Sequence, residues 1–228
     1  MLPLYTISTK PETIYEQCKL SEHFSFSPVY QARPGMQLPI IIQIGNKTTM
    51  VKARWGTKRP LISIERILTK PPFNILVRKQ RCAVPANCFY SAKGGQPYLI
   101  RVLQHRMFLM GGLFHFVEGE FHFTLLQAHP ADVLSGLEGQ MPILMESEKL
   151  LSWLKGTEVG KVIHYADRAG SYWFDFYPVS KEILDGGVDR IELLNPEGIS
   201  QQAMKDHEKK LAGITFEKER PNRSNLKH

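Results

Sequence analysis

The sequence predicts a single α+β domain, rich in β-structure, with helices at its periphery. Three observations predict it. Six stretches of strand length carry apolar, β-branched and aromatic residues between turn signals. Helical spacing is confined to short segments around them. The 228 residues are 43% hydrophobic, enough for one sizeable core, and no repeat or low-complexity linker divides them.

The elements follow in order. "STKPETIYEQCKL" reads as a helix capped by Ser8 or Thr9, with Pro11 in its first turn, where a missing N–H is harmless. "MQLPIIIQIG" and "KTTMVKARWG" read as strands joined by the turn signal "GNK". "ERILTKPPFNILVRKQR" is ambiguous, with a short helix after Pro72 as one reading. "QPYLIRVLQ", "MFLMGGLFHFV" and "EFHFTLLQA" are successive strands. A two-residue turn at Glu118-Gly119 would pair Phe116 with Phe121 and Phe114 with Phe123 on one face. It would also place His115 opposite His122 on the other. "ESEKLLSWLKG" is a helix with an apolar face that includes Trp153, and "YWFDFYPVS" is a further strand. "SQQAMKDHEKKLAG" reads as a C-terminal helix capped by Ser200 and closed by Gly213, before a polar, mobile end.

Composition excludes several classes. No apolar run reaches the roughly 18–20 residues of a membrane span, and the first 20 residues lack a secretory pattern. Cys18, Cys82 and Cys88 form no paired framework, which suits reduced thiols in a cytoplasm. The His115–His122 pair lacks a third ligand at metal spacing, so neither a metal nor another cofactor is expected. A monomer is the working expectation.

The net charge of +7 is concentrated in one segment. Residues 52–81 carry nine basic side chains against Glu65 alone, whereas residues 82–204 carry nine basic against fourteen acidic. Such a local excess is an electrostatic footprint for a polyanion. Trp55 and Phe73 lie inside it, and aromatic faces between cations suit single-stranded nucleic acid. The candidate nucleic-acid residues are Arg54, Trp55, Lys58, Arg59, Arg66, Phe73, Arg78 and Arg81.

Eleven short motifs then occur in a telling order: "LYTIS", "FSFSPVY", "ARWGTKRP", "ERILTKPPF", "KQRCAVPANCFYSA", "QPYLI", "GGLFHF", "FTLLQ", "GLEGQMPILM", "LLSWL" and "FYPVS". In this order and spacing the chain resembles the SRAP family of SOS-response-associated, peptidase-like proteins, which includes abasic-site sensors. The resemblance covers about residues 1–183 of one domain spanning 1–228. Residues 184–228 then read as a C-terminal extension. It implies a curved, barrel-like antiparallel sheet core with a positively charged channel for single-stranded DNA.

The resemblance also implies a chemistry. In the family, a cysteine directly after the initiator methionine offers an α-amine and a thiol to the aldehyde of an abasic site. The two close a thiazolidine ring and cross-link protein to DNA. A glutamate, an asparagine, an arginine and a histidine position the sugar and move protons. This sequence departs at nearly every one of those positions. The cysteine's place holds Leu2, and an early arginine's place holds Leu4. Family asparagines fall on Ser25 and Leu61, and an arginine falls on Ser63, while the acid survives as Glu65. The glutamate after the Phe89-Tyr90 pair falls on Ser91. The histidine, aspartate and arginine before Met141-Pro142 fall on Glu138, Gly139 and Gln140.

The framework is kept while the reactive set is changed. The expectation is a catalytically degenerate member that binds single-stranded or abasic-site DNA noncovalently in a DNA-damage setting. Three alternatives stand beside it: an active cross-linking enzyme with autopeptidase activity, a thiol-dependent hydrolase using Cys88, and a regulatory protein whose cleft is filled by Leu2, Leu4 and Leu61.

Overall fold

Strands β3 (Gln37–Ile44), β4 (Lys47–Trp55), β6 (Arg81–Ala86), β9 (Phe108–Val117) and β10 (Glu120–Ala128) close into a five-stranded barrel. Every pairing is antiparallel except that of β4 with β10. The computed structural model describes residues 1–198 apart from 22–23, 104–106, 157, 159 and 168–170. The expected C-terminal helix and polar end lie outside the described residues.

A second sheet has the order β13-β8-β7-β1-β2, built from β1 (Tyr5–Ile7), β2 (Val29–Ala32), β7 (Cys88–Lys93), β8 (Gln96–Val102) and β13 (Phe174–Pro178). Only Asn87 separates β6 from β7, so "RCAVPANCFYSA" carries the chain straight from barrel to second sheet. Short strands β5 (Leu61–Ser63), β11 (Met141–Pro142) and β12 (Leu144–Met145) extend the barrel's rim. The helices are peripheral: α1 (Pro11–Cys18), α2 (Ile64–Thr69), α3 (Phe73–Lys79), α4 (Leu150–Leu154) and α5 (Gly160–Asp167).

The β9–β10 hairpin has the expected register. Phe116 faces Phe121, His115 faces His122, and Phe114 faces Phe123. Glu118 and Gly119 both take positive φ, at 52° and 81°, as a type I′ hairpin turn requires. The "GG" of β9 is explained by crowding. A Cβ on Gly112 would lie 2.8 Å from the Thr124 carbonyl oxygen and 2.9 Å from Cys82 Sγ.

Helix α1 corrects one detail. Its N-cap is Lys10, not Ser8 or Thr9. The backbone N–H groups of Ser8 and Thr9 instead donate to Asn87 Oδ1, at 2.7 and 3.1 Å. One side chain at the β6–β7 crossing therefore ties the end of β1 to both sheets. The ambiguous "ERILTKPPFNILVRKQR" resolves into two helices, α2 and α3, the second beginning right after Pro72.

Candidate nucleic-acid interface and the amino-terminal cluster

The basic segment divides into cations that brace the fold and cations that face solvent. Arg54 belongs to the first group. Its guanidinium grips Glu120 through two N–H donors, each 2.9 Å from a carboxylate oxygen, and donates a third bond to the Gly35 carbonyl at 2.8 Å. Hydrogen bonds from Arg54 and Gln37 hold the Glu120 carboxyl down at about 2. Arg81 is 2% exposed and donates to the carbonyls of Val77, Trp153 and Glu158. Lys58, Arg59, Arg66 and Arg78 are exposed.

Trp55 is a correction to the expected stacking surface. It is 0% exposed and packs between Tyr5 and Phe123, with ring centroids at 5.2 and 6.0 Å. The reason is non-local: β4 ends beside β10, and Trp55 pairs with Phe123 there. Its indole N–H donates to the Pro60 carbonyl at 2.8 Å. That bond closes the loop Gly56–Pro60 from inside. Three more bonds pin the same loop to β10: Gly56 N–H to the Phe123 carbonyl, Thr124 Oγ1–H to the Arg59 carbonyl, and Leu125 N–H to the Pro60 carbonyl. The "WGTKRP" motif is thus a buried anchor carrying a fixed display of Lys58 and Arg59.

Those two cations rim a cleft of about 820 Å³ floored by Phe73, Leu76 and Phe123, with His115 at its side. The Arg59 guanidinium lies over the Phe73 ring, 5.7 Å from its centroid. Phe73 is only 7% exposed, so it serves as floor rather than as a free-standing stacking ring. Cationic rim and apolar floor together match the chemistry of a phosphate with an attached base.

A second cluster forms at the start of the chain. Leu2 N–H donates to the Tyr90 carbonyl at 2.8 Å, extending the β1–β7 ladder. Ser91 Oγ–H donates to the Glu138 carbonyl at 2.6 Å, and the Met1 amine reaches the same oxygen at 3.2 Å. The Glu138 carboxylate accepts the Gly94 N–H at 2.8 Å. Leu2, Ser91 and Glu138, far apart in sequence, therefore meet. Ser63 and Gln140, the latter two residues along from Glu138, come together around Glu65. A backbone N–H at the start of α2 is the main group lowering the Glu65 carboxyl, helped by Ser63, His129 and Gln140. Ser25 lies exposed between α1 and β2 in the chain.

The cluster offers hydrogen bonds but no activated nucleophile. The Ser91 hydroxyl is spent on a carbonyl, which cannot accept its proton. Leu4, 3% exposed, is buried with Cys88, Tyr90 and Leu99, and Leu2 packs on that group. Leu61 packs against the main core instead. The three leucines therefore do not form one plug: Leu2 and Leu4 pack apart from the core that holds Trp55, and Leu61 packs against that core.

Cys88 is a packed thiol. Burial pushes it up to about 11, and its Sγ lies 3.8 Å from the Tyr90 hydroxyl. Burial raises Cys18, to about 12, and Cys82 as well. At pH 8 the native protein is therefore expected to leave all three thiols unmodified by a chromogenic disulfide reagent over minutes, and to release three equivalents in denaturant. Rapid titration of one thiol in the native state would revive a thiol-dependent chemistry.

Among the described residues no three His, Cys, Asp or Glu side chains group to hold a metal. His115 and His122 stack with centroids at 5.2 Å. Glu120 approaches His122 at 3.4 Å but is already held by Arg54 and Gln37. No described helix is long and apolar enough to cross a membrane.

Comparison with known proteins adds three findings. The family model described as SOS response associated peptidase (SRAP) matches residues 1–185. The chain is similar to the abasic site processing protein YobE of Bacillus subtilis, with 23% identity over 175 residues, covering 66% of this chain and 80% of the relative. YoqW, an abasic site processing protein found in the same organism and in Bacillus phage SPbeta, is also 23% identical over 175 residues, covering 66% of this chain and 78% of YoqW. Among solved structures, a protein from Bacteroides thetaiotaomicron superposes with TM-score 0.72 at 16% identity, covering 86% of this chain and 99% of its own. A phage-related protein from Bordetella bronchiseptica superposes with TM-score 0.63 at 18% identity, covering 78% of this chain and 94% of its own. These two likenesses establish the fold.

Proposed function

Because the chain belongs to the SOS response associated peptidase (SRAP) family, we propose that it holds single-stranded or abasic-site DNA noncovalently, in a DNA-damage context, without the family's covalent step. The observation that carries the reading is the pinned Gly56–Pro60 loop, which sets Lys58 and Arg59 over the apolar cleft floored by Phe73. Phosphate oxygens would pair with the two cations, and a base would enter the cleft. Exposed Arg66 and Arg78, on the neighbouring helices α2 and α3, would add long-range attraction. The relatives named abasic site processing proteins support DNA as the ligand.

The amino-terminal cluster supports the loss of chemistry. A thiazolidine needs a thiol on the same residue as the reacting amine. Position 2 is leucine, and Cys18, Cys82 and Cys88 are buried thiols on mid-chain residues that carry no free α-amine. Ser91 has no carboxylate with which to move a proton, and it is bonded to a carbonyl. Three unpaired thiols also suit action in a reducing cytoplasm.

Fluorescence anisotropy with a labelled single-stranded oligonucleotide tests the binding. Affinity is expected to fall steeply between about 50 and 200 mM salt, because each neutralised phosphate releases counterions. Absence of binding near physiological salt, or binding indifferent to salt, would sink the reading.

A further inference from the structure

A second cationic cleft, sharing no lining residue with the Lys58–Arg59 cleft, lies between α4 and α5. It encloses about 460 Å³ and is lined by Arg81, Lys149, Lys155, Lys161, His164 and Glu158, with Ser152 and Tyr165 beside them. The concentration of charge is out of keeping with its surroundings. Residues 82–204 hold five more acidic than basic side chains, yet three of their nine basic ones border this cleft.

Its acidic content is small and already engaged. The Glu158 carboxylate sits 3.0 Å from Lys161 Nζ, the two on the exposed edge. Lys149 and Lys155 make no side-chain hydrogen bond or ion pair with any described residue. Ser152 and Tyr165, whose hydroxyls lie 2.8 Å apart, add neutral donors on the same wall.

Arg81 is the second, independent observation. It is 2% exposed and lies over the Trp153 ring at 5.1 Å. Three of its five N–H groups are directed at carbonyls, but no carboxylate among the described residues neutralises it. A buried guanidinium without a counterion is costly, and buried charges are ordinarily paired. Two of the carbonyls end α3 and α4, and helices of seven and five residues supply only partial negative charge. A buried positive floor beneath Lys149 and Lys155, neither paired with a described residue, calls for an anion, with Lys161 shared between it and Glu158.

We propose that the cleft between α4 and α5 binds a phosphate-bearing anion, held by Lys149, Lys155 and Lys161 above Arg81. The volume admits a phosphate with a small group attached. The same chemistry would accept a free phosphate or phosphomonoester, or a phosphodiester from a second stretch of nucleic acid. This site is independent of the DNA reading of the Lys58–Arg59 cleft, because it predicts a response to phosphate alone.

Thermal unfolding at constant ionic strength, with inorganic phosphate replacing chloride, is the first arm. At phosphate about ten times its dissociation constant, the wild-type Tm is expected to rise by about 4 °C. The variant Lys149→Gln/Lys155→Gln is expected to fold normally, since neither side chain bonds elsewhere, and to lose that rise. The second arm measures binding of an oligonucleotide without terminal phosphates. If the double variant weakens it, the anion is a phosphodiester; if only the phosphate response is lost, it is a free phosphate or phosphomonoester. If neither response depends on the two lysines, the proposal is overturned.

Discussion

Trp55→Ala is expected to lower unfolding stability by about 3–5 kcal/mol, the range for emptying a large aromatic site in a core. Trp55 has no exposed surface and sits between Tyr5 and Phe123, so truncation leaves a void where the second sheet meets the barrel. The loss shows as a lower denaturant midpoint with an unchanged slope. Trp55→Phe keeps most of the ring and removes the N–H. The Pro60 carbonyl retains the Leu125 N–H as donor, so this variant is expected to lose only about 1 kcal/mol. The pair distinguishes two roles for a tryptophan set among cations. An internal anchor loses stability in this order. A stacking surface would leave stability unchanged and lose only DNA affinity, and that result would reject the burial described above.

Lys58→Gln/Arg59→Gln is expected to behave in the opposite way. Both side chains are exposed, so the Tm should move little. Affinity for single-stranded DNA should fall about tenfold or more at physiological salt. The slope of log affinity against log salt should become shallower by about 1.4, since each lost phosphate contact on a single strand removes about 0.7. Arg54→Gln is the internal control. Arg54 is committed to Glu120 and Gly35, so its loss should leave that slope nearly intact. A salt slope unaffected at Lys58 and Arg59 but reduced at Arg54 would place the interface elsewhere.

The hairpin was readable because its signals are local. Glu118-Gly119 between alternating aromatics sets the register, and the paired strands follow it residue for residue. Strands β1 and β2, of three and four residues, carry too little alternation to declare themselves; β1 forms because β7 offers it an edge, and β2 because β1 does. The fate of the basic segment was hidden for a related reason. Whether a cation faces water or braces a core depends on partners distant in sequence. Arg54 meets Glu120 across 66 positions, and Arg81 meets the end of α4 across 72. Trp55 is turned inward by a parallel pairing with β10 that no local pattern encodes. Family resemblance did bring one non-local grouping into view. It matched Leu2, Ser91 and Glu138 to positions of one reactive site, and the chain folds so that these three meet. Nothing in the sequence marked the α4–α5 cleft, because Lys149, Lys155 and Lys161 are spaced like ordinary solvated lysines until Arg81 is seen buried beneath them.

The central claim is that DNA is held without a covalent bond. It is tested most directly by incubating the protein with abasic single-stranded DNA and dividing one mixture between native and denaturing electrophoresis. The account predicts a shifted complex on the native gel and free DNA alone on the denaturing gel. A complex that survives denaturation would show that chemistry persists with leucine at position 2, and would contradict the account.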